Sequence, residues 1–130
     1  MLDRRHFLAV SALALAILPV AAHAGSPVPF TGVAFEQAQK AQKPILIDVH
    51  ADWCPTCRAQ SPTILGLQTK PEYKNLVVFK VDFDAQKDVL AKLGVRSQST
   101  LIVFKGGSEV GRSVGITNPA AIEALAHQAL

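Results

Sequence analysis

The chain carries two cysteines, Cys54 and Cys57, and they stand two residues apart in HADWCPTCRAQ, His50 to Gln60, behind its one tryptophan, Trp53. A structural bridge, a metal site and redox exchange all use such a pair. A bridge across two intervening residues closes so small a loop that it removes little entropy from the unfolded chain. A structural zinc site takes four ligands, and one such motif supplies two thiolates. The spacing suits a redox couple, which opens and closes with little backbone movement and exchanges with disulfides of other proteins.

Neighbouring elements position the pair. Ile45 to Ala51, ILIDVHA, is an apolar, β-branched run with one charge, Asp48, and reads as a buried strand. Pro55 suits a first helical position, where its missing N–H costs nothing. A helix is expected from about Pro55 to Leu67, with Pro62 kinking it. Cys54 then ends a strand and opens a helix, next to free N–H groups and the positive end of the helix dipole. Both favour thiolate, the nucleophilic form. Cys57, one turn further in and more buried, would resolve the mixed disulfide that Cys54 forms. A carboxylate in an apolar strand is desolvated, so the pKa of Asp48 should rise and make it a usable base.

The rest of the chain alternates helix and strand. Val33–Ala41 reads as a short amphipathic helix, Leu76–Asp84 as a second buried strand and Ala85–Gly94 as a helix stopped by Gly94. Thr100–Lys105 and Ser108–Gly115 form a hairpin about Gly106-Gly107. Asn118 and Pro119 open a closing helix as N-cap and first residue. The order α-β-α-β-α-β-β-α predicts an α/β fold, its central mixed sheet of four to five strands flanked by helices on both faces. His50 reads as an exposed strand-end histidine and His127 as a solvated one.

The N-terminus reads as an export signal. Arg4 and Arg5 precede an apolar run from Phe7 to about Val20, followed by Ala22-His23-Ala24, a small-x-small cleavage pattern. Arg-Arg-His-Phe-Leu also resembles the twin-arginine signal. The run of about 14 residues is shorter than the roughly 20 that span a bilayer, so an uncleaved anchor is the weaker reading. Cleavage after Ala24 would remove His23, leave residues 25–31 as a linker and 32–130 as one domain, and place the protein in the periplasm. It would also lower the net charge from +3 to about +2, too weak a bias for nucleic acid or an anionic membrane surface. In such a compartment disulfides form and persist.

Over about Pro44 to Leu130 the sequence resembles the thioredoxin family. The matches are Ile47-Asp48, Ala51-Asp52-Trp53-Cys54, Pro62, Lys80, Thr100-Leu101, Phe104-Lys105 and Gly115, in family order. WCPTCRA is also similar to membrane-tethered thiol reductases that keep cytochrome c haem-binding cysteines reduced, although there is no room between Leu67 and Leu76 for their usual insertion. The resemblance implies that Asp48 moves the proton when Cys57 attacks and that Lys80 pairs with Asp48. It implies that Trp53 walls the site and that Pro55, Thr56, Ser99 and Thr100 border the substrate. Thr56 stands where strongly oxidising relatives hold a histidine that stabilises the thiolate, so it tilts the couple towards reduction. Ser99 stands where the family has a cis-proline, and a cis bond before a non-proline costs roughly 2.5–4 kcal/mol, so a trans bond is expected.

The expected activity is reduction of protein disulfides outside the cytoplasm by a monomer. A membrane thiol donor would recharge it, with no metal or organic cofactor, since the dithiol carries the electrons. The rival readings are a disulfide oxidase or isomerase, a metal or iron–sulfur carrier in which two chains each donate Cys54 and Cys57, and a binding module whose cysteines are incidental.

Overall fold

The strand Pro44–His50 is the axis of the computed structural model, which describes residues 26–130; the expected signal segment lies outside them. The elements in chain order are β1 (Val28–Pro29), α1 (Gly32–Lys40), β2 (Pro44–His50), α2 (Pro55–Leu67), β3 (Val77–Asp82), α3 (Lys87–Leu93), β4 (Thr100–Lys105), β5 (Ser108–Val114) and α4 (Pro119–His127). They build one five-stranded mixed sheet in the order β1-β3-β2-β4-β5. β2 pairs parallel with β3 and antiparallel with β4, and the register sets Asp48 between Lys80 and Leu101.

Alternation along β2 divides the core in two. Ile45, Ile47 and Val49 pack with Phe35 and Ala38 of α1 and Leu90 of α3. Leu46 packs on the other face with Ile64 and Leu67 of α2 and Ile122 and Leu125 of α4. Successive side chains point to opposite faces, so Asp48 and His50 share the α2 and α4 face. A strand buried on both faces reads as a continuous apolar run, and here that run is broken by these two polar residues.

Helix starts follow local chemistry. Thr31 and Asn118 cap α1 and α4, accepting the N–H groups of Ala34 at 3.1 Å and Ala121 at 3.0 Å. Gly94 ends α3 at φ +64°, a left-handed conformation that glycine adopts without a Cβ clash. α3 begins at Lys87 rather than Ala85, because Asp82 Oδ1 accepts the N–H groups of Asp84 and Ala85 and holds those residues in a turn. A 3₁₀ turn at Pro71–Tyr73, absent from the sequence reading, buries Tyr73 beneath α4.

The linker assignment of residues 25–31 needs correction. Val28–Pro29 is an edge strand parallel to β3, and the Phe30 N–H donates to the Lys80 carbonyl at 2.9 Å. Two paired residues carry no strand-like periodicity, and proline is tolerated at a sheet edge. Phe30 is buried against Phe35 and Phe79, with ring centroids 5.3 and 5.8 Å away. Phe30→Ala should therefore cost about 3–5 kcal/mol, read as a lower midpoint in urea unfolding. A residue in a plain linker would leave the midpoint where it is.

Candidate active site

The site forms where β2 gives way to α2. The Cys54 N–H donates to the Ala51 carbonyl at 3.0 Å, turning the chain out of the strand. Cys54 is the N-cap of α2, with Pro55 following at the first turn. Its Sγ accepts the N–H of Cys57 at 3.1 Å, the bond that a serine or aspartate oxygen makes at other helix starts. Both cysteines are free thiols and each is only 1% exposed. The Cys57 thiol points back towards the Val49 carbonyl, 3.9 Å away.

Ser99 closes the site from the opposite side. Its hydroxyl lies 3.4 Å from Cys54 Sγ and 3.6 Å from Cys57 Sγ. The described residues contain no cis peptide bond, so the expected trans bond before Ser99 is what the structure has. The loop reaches the sulfurs by placing Ser99 at φ +60°, a conformation uncommon outside glycine. Three hydrogen bonds hold it there. The Ser99 N–H donates to the Val49 carbonyl at 2.9 Å, and its own carbonyl accepts from the Gly115 N–H at 3.0 Å and the Gln60 amide at 3.2 Å. Gln60 is fully buried and also donates to the Ile116 carbonyl at 2.8 Å.

Of the residues expected at the substrate border, Ser99 has its backbone engaged within the fold and its side chain facing the sulfurs. Thr100 is buried, and its hydroxyl donates to the Ser97 carbonyl at 2.7 Å. Trp53 and Pro55 are exposed beside the pair, and Thr56 is half-buried. Trp53 is 56% exposed; its indole N–H donates to Asp84 Oδ2 at 2.8 Å and its ring meets Phe83 edge-on. Asp84 was not anticipated, since it lies 31 residues from Trp53.

Asp48 is buried, 4% exposed, on the same face as the α2 helix. Lys80, the expected partner, sits beside it in register but is exposed and makes no ion pair with it. A hydrated ammonium gains little by following a carboxylate into the core. The basic group that Asp48 meets is His50, whose Nδ1 is 4.0 Å from Asp48 Oδ2. His50 is 7% exposed, not the solvated strand-end residue expected from sequence. The i, i+2 spacing on one strand is the signal that pairs them.

The electrostatics separate the two thiols. Burial pushes Cys54 up, but the Cys57 thiol, the Ser99 hydroxyl and the N–H groups of Cys57 and Thr56 outweigh it and leave the pKa lowered. Burial, the adjoining Cys54 thiol and its developing charge hold Cys57 above the ordinary thiol range. One sulfur is thus prepared to attack and the other to remain protonated until a base takes its proton. Burial also raises Asp48, against the opposing pull of His50 and Lys80. For metal, the pair offers two thiolates, and among the described residues no cluster of three or more His, Cys, Asp or Glu could hold an ion within one chain.

A helix-capping sulfur with a lowered pKa, backed by a second thiol one turn away on a mixed α/β sheet, defines a thiol–disulfide oxidoreductase. The comparisons with known proteins agree. The Thioredoxin family model matches residues 26–128, and the chain belongs to the thioredoxin family. A thioredoxin from Aspergillus fumigatus is 40% identical over 89 residues, which covers 68% of this chain and 80% of that one. Thioredoxin-2 of Saccharomyces cerevisiae is 41% identical over 81 residues, covering 62% and 75%. Among solved structures, Trxlp from Edwardsiella tarda superposes with a TM-score of 0.74 at 46% identity, over 77% of this chain and 98% of that one.

Two outcomes follow from the geometry. Ser99→Ala removes a hydrogen bond from the Cys54 sulfur, so the Cys54 pKa should rise, seen as a later onset of thiolate ultraviolet absorbance in a pH titration. The raised Asp48 pKa means that the native state holds this proton to higher pH than the unfolded chain does, whose value is about 3.9. Stability contributed at this position is then lost as pH rises above that value. Asp48→Asn should unfold at higher temperature than the native chain at pH 7, and the difference should vanish below about pH 4.

Proposed function

We propose that the Cys54–Cys57 couple works in the reducing direction, breaking disulfides of other proteins outside the cytoplasm. The observation that carries this reading is the set of groups around the Cys54 sulfur. Cys54 is lowered only by neutral donors, namely N–H groups, a thiol and the Ser99 hydroxyl. Thr56 contributes its N–H and no charge. A thiolate stabilised by neutral groups alone leaves the disulfide comparatively stable, which is the condition for a reductant.

In the forward reaction the Cys54 thiolate attacks one sulfur of a substrate disulfide. A Cys54–substrate bond forms and the substrate's other sulfur leaves with the electron pair. Asp48 takes the Cys57 proton, and the Cys57 thiolate attacks Cys54. That step forms the Cys54–Cys57 disulfide and releases the second substrate thiolate. Trp53, Pro55 and Thr56 present the surface against which the substrate rests. The couple carries the two electrons itself, so the reading calls for no organic cofactor or metal. The protein acts as a monomer.

The location rests on the N-terminal residues, where Arg4, Arg5, the apolar run and Ala22-His23-Ala24 have the layout of a cleaved export signal. A periplasmic reductant cannot draw on cytoplasmic reductases, so the donor is a thiol protein of the membrane. Equilibrating residues 25–130 against thiol buffers, with trapping of free thiols, tests the direction. A reduction potential near or below about −230 mV is expected, as for reducing couples of this type, whereas a value near about −120 mV would make the protein a disulfide-forming oxidant.

A further inference from the structure

We infer that His50 is the proton route between buried Asp48 and solvent, passing the proton on to Asp52. The inference rests on the dithiol reading above. If Asp48 accepts the Cys57 proton, it must pass that proton on, both to keep Cys57 as the attacking thiolate during resolution and to be ready for the next cycle. Asp48 is almost without exposed surface, and its Oδ1 has no hydrogen-bond partner. Among the described residues Lys80 forms no ion pair with Asp48. His50 lies between Asp48 and the outside. Its Nδ1 faces Asp48 Oδ2 at 4.0 Å and is itself buried without a partner. Its Nε2 is 3.2 Å from Asp52 Oδ1, and the Asp52 side chain is 98% exposed.

These contacts assign the resting tautomer. With Nε2 beside the Asp52 carboxylate, the ring carries its hydrogen at that end, and Nδ1 is left free to accept. Transfer requires the 4.0 Å gap to close by about 1 Å to hydrogen-bond length. The Asp48 proton then passes to Nδ1 as the Nε2 proton passes to Asp52 and solvent. Asp48 returns to carboxylate and His50 is left as the Nδ1–H tautomer. When a donor re-reduces the disulfide, Cys57 needs a proton back. The same steps in reverse deliver it and restore the Nε2–H tautomer, so one full cycle resets the ring without a flip.

The surroundings suit this role. His50 borders a cleft of about 540 Å³ also lined by Asp52, Lys80, Asp82 and Asp84. Asp82 is its register neighbour on β3, and Arg58 of α2 donates to the Asp52 carbonyl at 2.8 Å, holding that residue beside the ring. Carboxylates therefore outnumber cations at the outer end, which favours a proton leaving the imidazole in that direction.

The test is stopped-flow resolution of the mixed disulfide, with His50→Gln, which keeps a donor towards Asp52 but cannot relay. His50→Gln should slow resolution about tenfold relative to formation of the mixed disulfide, a fraction of the full effect of general acid–base catalysis. Imidazole added at constant pH and ionic strength should restore the rate, because a mobile base replaces the missing ring. Unchanged resolution overturns the inference, and so does slowing that imidazole does not relieve, since a packing defect would behave that way. If His50→Gln does not fold, Asp52→Asn at the exposed end is read by the same two criteria. Native protein without any dithiol exchange would instead remove the reading on which the relay rests.

Discussion

The hydrogen bond from the Cys57 N–H to the Cys54 sulfur, 3.1 Å long, is the interaction on which the site depends. It makes a sulfur do the work of a helix cap. The first N–H groups of a helix have no partner within it, and here they stabilise a negative charge on the atom that must carry one. Pro55 begins the helix without adding an N–H of its own, which fixes the turn directly behind the cysteine. The same bond places Cys57 one turn deeper, where burial holds its proton on. The inequality between the two sulfurs thus follows from one capping geometry.

That geometry needs a rigid platform, and β2 supplies it. The strand is paired on both edges and buried on both faces, so the point at which it ends and α2 begins cannot drift. The platform includes a cost. Asp48 and His50 occupy positions that apolar side chains would fill with better packing, and each has a buried polar atom without a protein partner among the described residues. Unsatisfied buried groups cost of the order of 1–3 kcal/mol each. Both lie where the proposed proton movement would run, and functional sites are where such a cost is retained.

Ser99 shows how a departure from the family pattern is accommodated. A proline in that slot would have neither an N–H nor a hydroxyl. Ser99 uses the N–H to bond the Val49 carbonyl and the hydroxyl to reach both sulfurs, and it adopts a left-handed backbone to do so. Buried Gln60 and Gly115 fix the loop from behind. The result is a polar wall against the sulfurs rather than an apolar one.

Local pattern was enough for much of this protein. The apolar run with one aspartate, the CxxC pair followed by proline, the Asn118-Pro119 helix start and the Gly106-Gly107 hairpin each carry their structural meaning within a few residues. Backbone propensity and side-chain period act at that range, so the α/β class, the sheet's mixed character and the placement of Cys54, Cys57 and Asp48 were legible. The edge strand at Val28–Pro29 was not, because two residues have no period and their partner lies 51 residues away, at Phe79 and Lys80. The partner of Asp48 was not legible either. Sequence likeness pointed to Lys80, while the folded chain sends that lysine to water and turns His50 inward. Which of two nearby bases meets a buried carboxylate depends on desolvation and side-chain packing, and those exist only once the sheet and helices have closed around it. The seat of Ser99 beneath both sulfurs, 45 and 42 residues away along the chain, was decided in the same way, by loop hydrogen bonds that tertiary structure alone brings together.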